Sequence, residues 1–407
     1  MNIFITGIAG FLGSHLAEEC LKKGHNVYGN DNLIGGYKDN IPNGVNFFNF
    51  DCNDYNKLNE IFKLNEIDIL YHCAATAYEG LSVFSPNFVT KNIFQSSVSV
   101  FSAALNNNIK RIIFCSSMAR YGEIKPPFTE DSTPNPVDPY GIAKLAAEKV
   151  LINLCKLNNV EWVIAVPHNI VGPKQKYDDP YRNVMSIIIH KMLKNESPVI
   201  YGDGEQKRCF SFIDDCISPL YKMMISKEAN NQIINIGPDE GTISINELVN
   251  LCANHIGYNG RATYFKDRPL EVKNAFCSSN KARKLLDYKT TSDIEKAISE
   301  TTNYIKSKGI KNFEYNFEIE INNNLTPKTW KNARNCAATI KVIVTNTRFL
   351  FMAEKVQIET KYVMPKNILC REKHFIPRTR FSLATKIVLY RKNFLFSLVL
   401  INDEKYR

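Results

Sequence analysis

Asn2-Ile3-Phe4-Ile5-Thr6-Gly7-Ile8-Ala9-Gly10-Phe11-Leu12-Gly13 opens the chain with an apolar run that passes into three glycines at intervals of three. The following stretch, Leu12–Lys23, places apolar residues at helical spacing, so the glycines fall at a strand-to-helix turn. Bare backbone at such a turn can approach a pyrophosphate, and the N–H groups of the helix's first turn, at Phe11 and Leu12, have no partner within the helix. Gly7 makes the turn, Gly10 keeps a side chain out of the phosphate path, and Gly13 lets helix and strand pack closely. Asp31 ends the next apolar run, 18 residues past Gly13. A carboxylate there accepts hydrogen bonds from the ribose of an adenosine and repels a 2′-phosphate. The expected cofactor is NAD rather than NADP.

The same alternation continues outward from this turn. Strands are expected at Ile3–Ile5, Asn26–Tyr28, Val45–Phe50, Ile67–His72, Arg111–Ser116 and Trp162–Pro167, with helices at Leu12–Lys23, Tyr55–Leu64, Phe88–Asn106 and Tyr140–Leu157. Short β-branched strands alternating with helices specify a parallel sheet covered on both faces. The expected fold is α/β: a Rossmann-type doubly wound parallel sheet with a smaller C-terminal α/β lobe. Residues 1–170 form the cofactor domain in this reading and 171–332 the substrate lobe, where Pro173, Pro180, Pro198 and Gly202-Asp203-Gly204 punctuate shorter elements. The helices at Phe88–Asn106 and Tyr140–Leu157 hold more small and apolar residues than one buried face requires, which predicts a homodimer.

Composition narrows the function. The apolar share of 44% over 407 residues suits a globular protein. No apolar run approaches the roughly 18 residues needed to span a bilayer, the longest near the end being Phe394 to Ile401. A start directly in a strand, with no basic leader, and 11 cysteines without a Cys-x-x-Cys pair or a His/Cys cluster at zinc spacing point to the cytoplasm and to no metal site. The net charge of +10 would suit a nucleic-acid binder, but residues 333–407 alone hold 15 Lys/Arg against 5 Asp/Glu and so carry all of it. The body is neutral and shows no basic stripe interleaved with aromatics, so no nucleic-acid partner is expected. The basic tail has a β-rich pattern and no assignable fold.

Tyr140-Gly-Ile-Ala-Lys144 supplies the chemistry. Its two polar side chains lie four residues apart and share a helix face, and an ammonium beside a phenol favours the phenolate. The preceding Phe114-Cys115-Ser116-Ser117 reads as a buried strand ending in hydroxyls. A hydride leaves a sugar carbon only as the hydroxyl proton is removed, so a base must touch that oxygen.

With these pieces the chain is similar, over residues 1 to about 332, to the extended short-chain dehydrogenase/reductase family. Within it the likeness is to the NAD-dependent sugar-nucleotide epimerase/dehydratase group, and most of all to UDP-galactose 4-epimerases. Asp31-Asn32 resembles the family's ribose-binding pair, Asp51-Cys52 its adenine contact, and His72-Cys73-Ala74-Ala75 its strand end beneath the cofactor, which places Ala74 in the cofactor site. The resemblance implies that Tyr140 is the general base and acid, that Lys144 holds the nicotinamide ribose, and that Ser117 hydrogen-bonds the reacting hydroxyl. It also implies that Arg208, in Gly202–Phe210, and Arg268, in Arg268-Pro269-Leu270-Glu271, contact the diphosphate. Glu271 would then lie near the nucleoside ribose, and Asn169 would reach the sugar diphosphate.

Met118 and Ala119 stand where the family's dehydratases carry an Asp-Glu pair, and neither transfers a proton. Hydride removal and return without elimination remains, which implies a 4-epimerase on a nucleotide-activated hexose, in family terms a UDP-sugar. The alternatives are a 4-reductase or dehydratase of the same family, or a non-catalytic NAD-binding regulator. Val166, Pro167, Cys209, Leu270 and the segment Ala75-Thr76-Ala77-Tyr78-Glu79-Gly80-Leu81-Ser82 depart from the family pattern around the hexose. His168 suits either a nicotinamide-facing position or a hydrogen-bonded place in the core.

Overall fold

In the computed structural model, residues 1–313, 319–323, 325–327, 339–345, 348–356, 385–392 and 395–402 are described. The first strand, β1 (Asn2–Thr6), carries Ile3 and Ile5 to one face of a sheet and Phe4 to the other, the period-2 pattern of a strand buried on both sides. It pairs in parallel with β2 (Asn26–Asp31) and β4 (Ile69–His72). β3 (Asn46–Asn49) extends one side of the sheet, and β5 (Arg111–Cys115) and β6 (Glu161–Pro167) extend the other. A seventh strand, Gln232–Ile236, pairs in parallel with β6 and gives the order β3-β2-β1-β4-β5-β6-(232–236). This is a doubly wound sheet whose order reverses between β1 and β4, the place where such folds bind ligands.

Helices cover both faces. On one, α1 (Phe11–Lys22) and Ile213–Ile225 pack Leu16, Ala17, Cys20, Leu220 and Met223 against Ile3, Ile5, Ile113 and Val163. On the other, α2 (Tyr55–Asn65), Ser96–Leu105 and Pro139–Asn158 pack Leu58, Phe62, Phe101 and Leu151 against Phe4, Leu70, Ile112 and Ile164. The helix expected over Phe88–Asn106 contains a π-helical stretch at Lys91–Gln95 between Pro86–Thr90 and Ser96–Leu105.

The boundary expected at residue 170 divides the chain but not the packing. Helix Ile213–Ile225 and strand Gln232–Ile236 return to the large sheet, because their apolar residues complete its second face. The rest of the second lobe has its own core, built from helices Val184–Leu193, Ile245–Ile256 and Ile294–Lys308 through Met185, Ile189, Leu248, Cys252 and Ile298. The helix Ile245–Ile256 starts in a capping box, with Ser244 and Glu247 each satisfying the other's backbone N–H.

The chain separates into two compact units, Met1–Arg334 and Asn335–Arg407. The second holds two antiparallel hairpins, Thr339–Thr345 with Arg348–Val356 and Thr385–Lys392 with Leu395–Asn402. Among the described residues no helix is long and apolar enough to cross a membrane.

Candidate active site

Every site residue singled out from the sequence lines one cavity of about 630 Å3 along the C-terminal edge of the sheet, a volume suited to a small ligand or cofactor. At the floor of its first half, Gly7 adopts φ 70°, and a Cβ there would stand 2.9 Å from the backbone of Ala74. Only glycine meets both demands. Gly10 caps α1 with no side-chain hydrogen bond, which leaves the first-turn N–H groups of Phe11, Leu12 and Gly13 without a side-chain acceptor.

The strand end beside this turn is locked by a chain of polar contacts. Thr6 Oγ1 lies 2.7 Å from His72 Nδ1, His72 Nε2 lies 2.9 Å from Ser97 Oγ, and Ala74 N donates to Thr6 Oγ1 at 3.1 Å. Burial, followed by the charge of Lys144, pushes His72 down to about 3, so it is neutral and structural.

Asp31 accepts from Ala9 N at 3.0 Å and Leu33 N at 2.7 Å, which ties the second strand to the glycine turn. Burial raises its carboxyl, and those two backbone donors and Arg182 pull it back. Asn32 donates to Asp51 at 2.8 Å. Cys52 is buried against Asn30, with burial pushing its thiol up to about 12. The donor set fits a dinucleotide: a bare backbone turn and an uncapped helix end for the pyrophosphate, and carboxylates beside it for a ribose.

The second half of the cavity holds Tyr140, Lys144 and Ser117. Asp138 caps the helix Pro139–Asn158 by accepting from Gly141 N at 2.9 Å, with Pro139 at the first position, so Tyr140 and Lys144 fall on consecutive turns of one face. Tyr140 is 7% exposed and lines the cavity together with Ser117, whose hydroxyl favours the phenolate, and Lys144 Nζ donates to Cys115 O at 2.7 Å. The ammonium keeps two further donors for a ligand.

The electrostatics differ from the expectation that Lys144 lowers the phenol. Burial raises Tyr140 above its ordinary value, Glu79 and Asp138 push it further, and Ser117 and Arg182 are what lower it. Burial brings Lys144 itself down to about 8. The reason is geometric: the lysine's tip is held by the backbone of β5, and two carboxylates face the phenol.

In the second lobe Arg208 is fixed by three carbonyls, donating to Lys207 O and Lys273 O at 2.9 Å and to Val272 O at 2.6 Å. Arg268 donates to Glu271 at 2.7 Å, and Glu271 also lies 3.9 Å from Arg208. The two arginines therefore share one carboxylate, whereas the sequence reading gave Glu271 a separate role at the ribose. Leu270, between them, sits at φ 61°, a costly conformation for a bulky residue and one found at ligand clamps. Asn169 donates to Cys209 O at 3.0 Å. His168 Nε2 donates to Pro238 O, 2.9 Å away, and is buried outside the cavity wall, so it belongs to the core.

Two cavity residues, Asp138 and Arg182, have no counterpart in the sequence reading, and Glu79 figures there only within the departing segment 75–82. Asp138 had a readable signal, because Asp-Pro ahead of a helical pattern is an N-cap and N1 pair. Its carboxyl is pushed up to about 7, first by burial and then by the charge of Glu79. A raised acid binds its proton more tightly in the fold than in the unfolded chain, so its contribution to stability is present below about pH 4 and is lost as pH rises through about 7. Asp138→Asn, which keeps the cap, is expected to flatten that part of the profile. Urea midpoints at pH 5 and pH 8 should differ less in the variant than in the parent, and an unchanged difference would remove Asp138 from this role.

Residues 3–237 match the family described as "NAD dependent epimerase/dehydratase family". A putative UDP-glucose 4-epimerase of Methanocaldococcus jannaschii is 33% identical over 75% of this chain and 98% of its own length. A UDP-N-acetyl-alpha-D-glucosaminuronate decarboxylase of Bacillus cytotoxicus is 34% identical over 58% of this chain and 74% of its own. Among solved structures, the UDP-glucuronic acid 4-epimerase of Bacillus cereus in complex with UDP-glucuronic acid and NAD superposes with a TM-score of 0.70 at 28% identity, covering 76% of this chain and 100% of that one.

Proposed function

This chain belongs to the NAD dependent epimerase/dehydratase family, and we propose from that premise how its own residues carry out C4 epimerisation of a nucleotide-activated hexose. NAD, when bound, takes up the C4 hydride and gives it back. Tyr140 accepts the C4 hydroxyl proton and later returns it, and Ser117, beside it on the cavity wall, holds the same oxygen. Lys144 orients the cofactor's ribose with the donors that Cys115 leaves free. Gly7, Gly10, Phe11, Leu12 and Gly13 present backbone to the pyrophosphate, Asp31, Asn32, Asp51 and Cys52 border the adenosine, and Ala74 floors the cavity. Arg208 and Arg268 hold the nucleotide diphosphate, Asn169 reaches toward it, and Glu271, which pairs with Arg268, lies toward the nucleoside ribose. The 4-keto sugar formed in between turns about its link to the diphosphate and presents its other face.

The single observation that carries this reading is that Tyr140, Ser117 and Lys144 line the same cavity as two arginines, Arg208 and Arg268. Met118 and Ala119, in the 3-10 turn just after Ser117, offer no proton-transfer group for elimination. The decarboxylase relative supports a second reading, in which a uronic acid oxidised at C4 loses its carboxylate as CO2. Purified enzyme incubated with UDP-, GDP- and dTDP-sugars, with products resolved by NMR, separates these outcomes: inversion at C4 is expected, and a pentose or a 4,6-dehydrated product would replace the reading.

In this proposal the cofactor half runs to about residue 170 and regains 213–236, while the remainder to about 332 forms the substrate lobe. The basic segment 333–407 is an appendage without a catalytic part. A homodimer is supported by Phe94 and Ile142, 37% and 52% exposed on neighbouring helices. Ile142→Glu should convert a sedimenting dimer to monomer; a parent protein that sediments as a monomer contradicts it. A cytoplasmic setting would keep Cys73 and Cys115, whose sulfurs lie 3.6 Å apart, as thiols. A disulfide between them in protein isolated without reductant would argue against that setting.

A further inference from the structure

We propose that Glu79 selects the hexose: its carboxylate borders the sugar, accepts hydrogen bonds from neutral hydroxyls, and turns away nucleotide sugars bearing a C6 carboxylate. The inference rests on the C4-epimerase reading for the direction in which the substrate lies.

Past β4 the chain crosses the C-terminal edge of the sheet along the cavity wall and turns into the short helix Glu79–Ser82. Ser82 Oγ donates to Glu79 O at 2.7 Å and lies 3.4 Å from Asp138 Oδ1, the cap of the helix that carries Tyr140. The Glu79 turn is thus fastened to the start of that helix. Its own side chain is exposed on the cavity wall, and among the described residues no ion pair neutralises it.

The field of this carboxylate reaches both ends of the cavity. It raises Asp138 and Tyr140 at one end and steadies the guanidinium groups of Arg208 and Arg268 at the other. A nucleotide hexose spans the same interval, with its C1 oxygen on the diphosphate and its C4 at the phenol. Glu79, on the wall of the cavity that Tyr140, Arg208 and Arg268 also line, borders that interval.

Sugar hydroxyls donate readily to such an acceptor. A C6 carboxylate instead meets like charge in a partly closed site, where two unit charges repel far more than in water. The nearby cations are already engaged. Arg208 is bound to three carbonyls, Arg268 to Glu271, and Arg182 to Asp179 at 3.4 Å while it stacks over Tyr78. Decarboxylation after C4 oxidation requires the very group that Glu79 repels, so this residue would turn the chain's site toward neutral sugars and away from uronates.

The test compares UDP-glucose with UDP-glucuronic acid on the NAD-loaded full chain, by calorimetric affinity and by NMR of turnover. The parent should bind UDP-glucuronic acid at least about tenfold more weakly than UDP-glucose, and Glu79→Gln should cut that ratio to about threefold or less by removing the repulsion. Affinity for UDP alone serves as the control and should change less than either sugar's. Equal affinities in the parent, or an unchanged ratio in Glu79→Gln, overturn the proposal. A shifted ratio without C4 inversion of either sugar would reject the epimerase reading and leave the selecting role of Glu79 standing. Inversion with an unshifted ratio would do the reverse.

Discussion

Tyr140→Phe is expected to lower kcat by about 10²- to 10⁴-fold while the protein still purifies with its NAD. The phenol lines the cavity beside Ser117, where the C4 hydroxyl proton leaves in this account, and Phe keeps the ring that packs in the buried cluster with Tyr78, Leu81 and Ile93. The glycine turn and Asp31 lie on other elements and are untouched by the change. Turnover and bound nucleotide, the latter measured by absorbance after denaturation, should therefore separate cleanly. Unchanged turnover would mean that another group removes the proton, and loss of NAD would mean that Tyr140 acts in binding.

Glu148→Ala should destabilise the fold by about 3–5 kcal/mol, the largest loss expected from a single side chain outside the cavity. Glu148 and Arg120 are both buried, with Arg120 Nε donating to the two carboxylate oxygens at 2.9 and 3.0 Å and Ser116 Oγ donating to one of them. Truncation leaves a guanidinium in the core with no counter-charge, and its Nη1 has no partner even in the intact protein. Replacing both members together, as Glu148→Leu with Arg120→Met, should recover most of the loss, since the pair's attraction largely offsets its own desolvation. Urea denaturation of the three proteins checks this, and a single-variant loss under about 1 kcal/mol would show that water reaches the site. The pair also has a place in the function. Glu148 continues the Tyr140–Lys144 face by one more turn and ties it to the strand end that presents Ser117.

Much of this architecture is legible in the sequence because its signals are local. The first six strands and the four principal helices of the cofactor half follow from period-2 and 3.6-residue patterns, and the glycine turn declares its own geometry. The strand Gln232–Ile236 is harder to read, because it lies within a loosely patterned lobe and joins the sheet through a contact that only the tertiary fold creates. Arg182 escapes for a related reason: it sits on a short turn with no periodic signal and reaches the cavity only when the segment before Val184–Leu193 is folded over it. The segment 75–82 is legible as a departure near the hexose, but not the place of Glu79 on the cavity wall. The direction of the Tyr140 shift was also out of reach, since it depends on which carboxylates face the phenol and on a lysine tip held by Cys115 O.

The central claim is that the hydrogen removed from C4 is the one returned to its opposite face. UDP-glucose deuterated at C4, incubated with the enzyme in ordinary water and followed by NMR, tests it most directly. The account predicts an inverted product that retains its deuterium at C4; an inverted product with the label exchanged for solvent hydrogen would contradict it.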